Sequence, residues 1–324
     1  MPVPPTSATG RSPRRGGDQA PAGRLGRVTP TDADLPFVKG HGTQNDFVVL
    51  ADPSADLDLD TDLVAAICDR HRGIGGDGLL RVARAAALVD RGILDELPAA
   101  VAGDDWFMDY RNADGSIAEM CGNGVRVFAH FLCATGLVDT DEFTVGSRAG
   151  GRAVVVHSFS DSDADVSVRM GPVRFGDDST VRIGDDLYSG VAVDVGNPHL
   201  ACVVADLTAD ALGAIDFGAG VAIDAEVFPR GANVEILTPP QPVDGRLSAR
   251  MRVFERGVGE TRSCGTGLVA AAAAGLATVG EKTGEMVIDV PGGRVEIRIV
   301  DGDSWLRGPS ALVADGRFRS DWAG

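Results

Sequence analysis

The chain is expected to be an α/β protein whose two similar halves face one cleft. Three observations predict this. Short apolar runs with strand character alternate with helical segments. The order of these segments repeats after Gly171-Pro172. Two glycine-rich turns, Cys121-Gly122-Asn123-Gly124 and Cys264-Gly265-Thr266-Gly267, each open a helix at matching places in the repeat.

Residues 1–33 are rich in Pro, Gly, Arg and Ser, with Leu25 and Val28 as their main apolar content, and are expected to be a disordered tail. Arg14-Arg15 is followed by no apolar stretch, so an export signal is not expected. Strands are predicted at Phe37-Val38 and Phe47–Leu50 around the turn Gly40-His41-Gly42-Thr43. A helix over Asp62–Arg70 then runs into Gly73-Ile74-Gly75-Gly76. Leu79–Val82 reads as a strand, Arg84–Val101 as a helical insertion and Trp106–Arg111 as an alternating strand. Val125–Ala134 is amphipathic and ends at Gly136. Strands follow at Glu142–Val145, Ala153–Val156 and Val166–Met170. The second half is expected to place strands at Val191–Val195, Leu200–Val204, Val234–Leu237 and Ala249–Phe254. An Ala-rich helix covers Gly267–Ala277, and strands close the chain at Glu285–Val290, Val295–Ile299 and near Ala311–Phe318.

Polar residues repeat with the elements. Gly42-Thr43-Gln44-Asn45 precedes one strand and Gly196-Asn197-Pro198-His199 another. Tyr110–Gly115 precedes the first cysteine turn, and Phe254–Gly259 the second. From Asn45 to Cys121 is 76 residues, and from Asn197 to Cys264 is 67. Three pairs in one order point to a duplicated unit, with domains over 34–170 and 171–309.

A net charge of −17 argues against a nucleic-acid partner, which needs a basic surface. No run of 18 apolar residues exists, so no membrane helix is expected. Lys39 and Lys282 are the only lysines, which nearly excludes a pyridoxal phosphate Schiff base. Five cysteines do not form an even framework, and a reducing cytoplasm is expected. Asparagine is rare, and Asn45, Asn112, Asn123, Asn197 and Asn233 all sit in turns beside hydrophobic runs, which suggests a task for each amide.

A helix N-terminus carries unpaired N–H groups and about half a positive charge. A thiol there is expected to lose its proton more easily, and the same N–H groups hold carboxylates. Glycines beside the thiol let a ligand touch the backbone. Cys68, Cys133 and Cys202 lie in apolar patterns and read as small core residues. Cys121 and Cys264, in matching contexts, read as a pair. Two thiols on one ligand permit a redox disulfide, or proton transfer at a carbon centre from opposite faces. The second inverts configuration without a cofactor, as in racemisation of an amino acid. Metal binding is weakly supported: Cys68 and His71 are three apart, and His41 and His199 are isolated. Gly73–Gly78 lacks the lysine of a nucleotide loop.

Asn112-Ala113-Asp114-Gly115-Ser116, three residues, then Met120-Cys121-Gly122-Asn123-Gly124-Val125-Arg126 resembles the signature of the diaminopimelate epimerases. Supporting stretches are His41-Gly42 with Asn45-Asp46-Phe47, Asp69-Arg70-His71, Gly196-Asn197-Pro198-His199, Asn233, Glu255-Arg256-Gly257, Cys264–Gly267 and Pro291-Gly292-Gly293-Arg294. The match covers about 36–320. The resemblance implies two pseudo-symmetric mixed-sheet domains, each wrapped around a central helix, with a C-terminal strand at 310–324 returning to the first domain. It implies a homodimer that interconverts L,L- and meso-diaminopimelate without pyridoxal phosphate or metal, in lysine and peptidoglycan biosynthesis. Carried over, Cys121 and Cys264 are the acid–base pair. Gly122-Asn123 and Gly265-Thr266 hold the carboxylate at the reacting carbon. Asn45, Asn112, Asn197, Asn233, Glu255 and Arg256 read the distal amino acid end, and His199 orders the cleft.

Three features depart from the family pattern. Gly78 stands where some members carry glutamine, so the cleft is expected to lose one side-chain contact there. Arg84–Val101 is longer than usual, and the tail is extra. Alternatives are a proline racemase or hydroxyproline epimerase, whose first motif carries histidine where Asn123 stands, a thiol–disulfide redox protein, and a binding module that has lost activity.

Overall fold

The computed structural model describes residues 35–319 and Trp322. The tail expected over 1–33 lies outside the described residues. The first half contains β1 (Pro36–Gly42), β2 (Asn45–Ala51), α1 (Thr61–Cys68), β3 (Gly78–Arg84), α2 (Ala85–Asp90) and β4 (Trp106–Asn112). It continues with α3 (Gly122–Ala134), β5 (Glu142–Gly146), β6 (Arg152–Phe159) and β7 (Asp163–Pro172). The second begins with β8 (Arg174–Ile183), β9 (Asp186–Asp194), β10 (Pro198–Val203), α4 (Ala209–Ala214), β11 (Val221–Ile223), β12 (Asn233–Leu237) and β13 (Gln241–Val243). It ends with β14 (Arg246–Glu255), β15 (Gly259–Thr261), α5 (Gly265–Thr278), β16 (Gly284–Val290), β17 (Gly293–Val300) and β18 (Asp303–Arg317).

The repeat is explicit in the pairing. Through β1, β2, β3, β4, β5, β6 and β7, successive pairs are antiparallel, parallel, antiparallel, parallel, antiparallel and antiparallel. The same order runs through β9, β10, β12, β14, β16, β17 and β18. In the first half β18 also pairs with β7 and with β1, which closes eight strands into a ring around α3. In the second half β8 pairs with β9 but not with β18, so the wrap around α5 keeps a seam among the described residues.

This wrapping explains the helices. In α3 every residue from Gly122 to Cys133 is buried, and in α5 all but Thr266 from Gly265 to Leu276 are buried. Helices buried on every side in this way are held by the strands around them, and the polar side chains α3 buries, Asn123, Arg126 and His130, find hydrogen bonds in these surroundings. Side chains from both helices and the surrounding strands form one continuous core. No helix among the described residues is long and apolar enough to cross a membrane.

Three expectations are revised. Arg84–Val101 is helical only over Ala85–Asp90; Gly92 takes φ +68 and Ile93 and Leu94 fold back onto the Leu88 carbonyl, so the rest runs as turns. Strand β8 gave no sequence signal because its first five residues are exposed and include Gly176-Asp177-Asp178. The returning strand begins at Asp303 rather than 310 or 311, with its early residues hydrogen-bonded to both β17 and β7.

Candidate active site

Strand register brings the polar residues to one level. Phe47 lies opposite Gly78 in the parallel β2–β3 pair, and Gly78 opposite Asn112 in β3–β4, so Asn45, Asp77 and Asn112 gather at one edge. The second half does the same: His199 lies opposite Asn233, and Val234 opposite Phe254, which brings Glu255 beside them. Cys121 and Cys264 cap α3 and α5 at this level, in extended conformations of φ −143, ψ 117 and φ −124, ψ 117.

The helix ends meet head to head. A Cβ added to Gly265 would lie 3.2 Å from the Gly122 Cα and 3.4 Å from its N, so a side chain there would press the two turns apart by a few tenths of an ångström. Between them opens a cleft of about 790 Å³. Both cysteines line it, with Gly122, Asn123, Gly265 and Thr266, and with Asn45, Asn112, Asn233, Glu255 and Arg256. Asn197 does not; its Oδ1 lies 3.1 Å from His199 Nε2, while His199 Nδ1 lies 2.7 Å from Glu235 Oε1, all behind the cleft wall.

Around Cys121 the partners are neutral. Its thiol donates to Asn45 Oδ1 at 3.5 Å, and Gly124 N–H donates to its sulfur at 3.4 Å. Asn123 Nδ2 donates to Asn45 Oδ1 at 3.2 Å and to the Ser263 carbonyl at 3.1 Å, which ties α3 to the turn before α5. The Asn45 amide nitrogen donates to Asp77 Oδ2 at 2.7 Å, and Arg70 holds the other Asp77 oxygen at 2.6 Å.

Around Cys264 the bonded partners are neutral, but two carboxylates act on it from close by. Its sulfur lies 3.6 Å from Thr266 Oγ1, and the Glu255 carboxylate nearby accepts from Thr261. Asn233 Nδ2 donates to the sulfur at 3.8 Å, and Asn233 Oδ1 accepts from Arg256 N–H at 2.9 Å. Arg256 Nη1 donates to the Arg230 carbonyl at 2.9 Å. Glu235 is fully buried behind this group.

These surroundings revise the expectation of acidic thiols. Burial pushes Cys121 up to about 11, against the opposing pull of the Gly124 N–H. Burial pushes Cys264 well above its ordinary range, and Glu255 and Glu235 push the same way. At both thiols desolvation outweighs the helix end. Burial likewise raises Glu255 and Glu235, against hydrogen bonds from Thr261 and His199 respectively.

Sequence reasoning missed Arg70, Asp77, Tyr110, Met120, Thr261 and Ser263 on the cleft wall. Asp77 was findable: it immediately precedes β3, the strand parallel to the one after Asn45. The Gly78 expectation needs restating. A Cβ there would lie 2.6 Å from the Tyr110 ring and 2.5 Å from the Arg111 carbonyl, so Tyr110 fills that part of the wall.

The chain matches the family model for diaminopimelate epimerase over residues 37–176 and 191–313. A diaminopimelate epimerase of Mycobacterium bovis is 58% identical over 287 residues, covering 88% of this chain and 98% of that protein. One of Rhodococcus erythropolis is 56% identical over 290 residues, covering 90% and 98%. Among solved structures, a predicted epimerase from Pseudomonas aeruginosa superposes with a TM-score of 0.60 at 18% identity, covering 88% of this chain and 99% of that one. A hydroxyproline epimerase from Agrobacterium vitis superposes at 0.55 and 12%, covering 88% and 91%; at these identities the likeness concerns the fold. The match over both halves, the repeated strand order and the paired cysteine turns agree, and the chain belongs to the diaminopimelate epimerase family.

Proposed function

We propose that the protein interconverts L,L- and meso-diaminopimelate by moving a proton between two sulfurs. The observation that carries this reading is that two helix-capping cysteines share one cleft whose floor is two abutting glycine turns. A substrate α-carbon between them has a thiol on each face. One cysteine, as thiolate, takes the α-proton; its electron pair remains on carbon and spreads into the carboxylate. The other thiol gives its proton to the opposite face, and configuration inverts. Helix-end N–H groups stabilise the charge growing on the carboxylate. The substrate α-ammonium supplies positive charge beside the sulfurs, which favours a thiolate that burial disfavours.

Asn45, Asn112, Asn233, Glu255 and Arg256 read the distal amino acid end, with Arg256 on its carboxylate and Glu255 on its ammonium; Asn197 acts through His199. The reading includes a cytoplasmic homodimer that uses no pyridoxal phosphate. In support, Lys39 is held by Asp46 and the Gly75 carbonyl, and neither lysine lines the cleft. The test is incubation with L,L-diaminopimelate in deuterium oxide. Deuterium at the α-carbon, with meso product and no added cofactor, is the expected result. Exchange into proline alone would move the assignment to a proline racemase; exchange into neither would overturn it.

A further inference from the structure

Two arginines are almost wholly buried, and they are buried differently. Arg81 sits between Asp52 and Asp109, each 3.6 Å away. Arg126, at 0% exposure, forms no ion pair among the described residues; Asp165 on β7, the one carboxylate that attracts it from farther off, is itself held by Arg307. Its Nε donates to the Pro309 carbonyl at 3.2 Å and its Nη2 to Thr43 Oγ1 at 3.0 Å; its Nη1 is buried with no partner among the described residues. Retaining an unpaired guanidinium in a core is costly, and the fold makes room for it: a Cβ on Gly42 would lie 3.0 Å from Nη2, and one on Gly308 3.5 Å from Cζ.

The position says what the charge faces. Arg126 lies five residues beyond Cys121 on α3, roughly 7.5 Å along the axis, and helical side chains lean toward the N-terminus. Its partner Thr43 reaches Asn123 Oδ1 at 3.5 Å and Ser263 Oγ at 2.8 Å, so the guanidinium is linked through one hydroxyl to both abutting turns. The other groups facing Cys121 are Glu255 on β14, Tyr110 on β4 and Cys264 at the start of α5. Arg70 and Asp77, on the cleft wall, neutralise each other.

We propose that Arg126 is the counter-charge of the Cys121 thiolate: a positioning residue whose unpaired positive charge makes Cys121, rather than Cys264, the sulfur that ionises first. The thiolate formed during turnover is the counter-ion that this guanidinium receives. Burial lowers the Arg126 guanidinium to about 10, and the thiolate would restore it. The proposal rests on the two-sulfur reading of the site.

The test is pulsed alkylation with iodoacetamide across pH, with Cys121 and Cys264 peptides quantified separately by mass spectrometry. In the wild-type protein the Cys121 midpoint should lie below that of Cys264. In Arg126→Met it should rise by about one pH unit, a tenfold loss of thiolate at fixed pH, with little change at Cys264. Arg126→Lys, which keeps the charge but not the hydrogen bonds, should recover most of the shift. Deuterium exchange by Arg126→Met should fall about tenfold near neutrality and recover at higher pH. An unchanged Cys121 midpoint, or Lys and Met variants shifted equally, overturns the proposal. So does a wild-type order with Cys264 first, which decides the matter even where Arg126→Met does not fold. Alkylation needs no substrate, so failure of the epimerase reading would show as absent exchange while the thiol midpoints remain measurable.

Discussion

Cys121 and Cys264 cap their helices with nearly the same backbone, yet the two halves surround them with different charges: Glu255 opposes ionisation of both, while Glu235 acts on Cys264 and Arg126 on Cys121. Cys121 donates to an amide oxygen and is attracted by the unpaired Arg126 guanidinium. Cys264 is bonded by Asn233 and Thr266 and repelled by two carboxylates, Glu255 and Glu235. Duplication therefore preserved the geometry that aims two sulfurs into one space, while the side chains around each diverged. A symmetric frame with asymmetric charge suits a step in which one sulfur starts with the proton and the other without it.

The largest expected effect removes a sulfur. Cys121→Ala and Cys264→Ala should each lower epimerisation by about 10³-fold or more, measured as meso product from L,L substrate; normal turnover by one variant would mean that the halves are not partners. Next comes the contact between the turns. A Cβ on Gly265 meets backbone, whereas one on Gly122 meets at 3.0 Å only the flexible end of Met170. Gly265→Ala should therefore cost roughly 100-fold in kcat/KM and Gly122→Ala clearly less, and equal losses would break the comparison. Smaller still is Glu255→Gln. A neighbouring carboxylate disfavours a thiolate, so its removal should lower the Cys264 alkylation midpoint by about one pH unit and that of Cys121 by less.

The smallest effect is on stability. Burial raises Cys121, Cys68 and Cys133 from 9.0 to about 11, and Cys202 to about 12. The folded chain then holds these protons more tightly than the unfolded one. That contribution is complete below pH 9.0 and is lost as pH rises toward 11. Tm should fall across that window, and Cys202→Val should fall less steeply.

The cysteine turns were legible because glycine spacing and helical periodicity are local. So were the duplicated halves, since polar residues mark the strand ends that the register brings together. The thiol energetics were not: a helix end is visible in sequence, but desolvation depends on how tightly two distant turns close. Glu235 acts through the parallel β10–β12 pairing, whose register single residues do not announce. Strand β8 went unread because most of it faces outward, and the segment after Asp90 because Gly92 overrode an alanine-rich pattern.

Strand β18 joins both halves, and its closing position has a consequence for synthesis. The ring around α3 needs Asp303–Arg317 between β7 and β1. Until a ribosome has made those residues, the first half has two free strand edges and an uncovered helix, and cannot finish folding ahead of the second. The two cysteine turns are thus completed together, late, by one stretch of backbone.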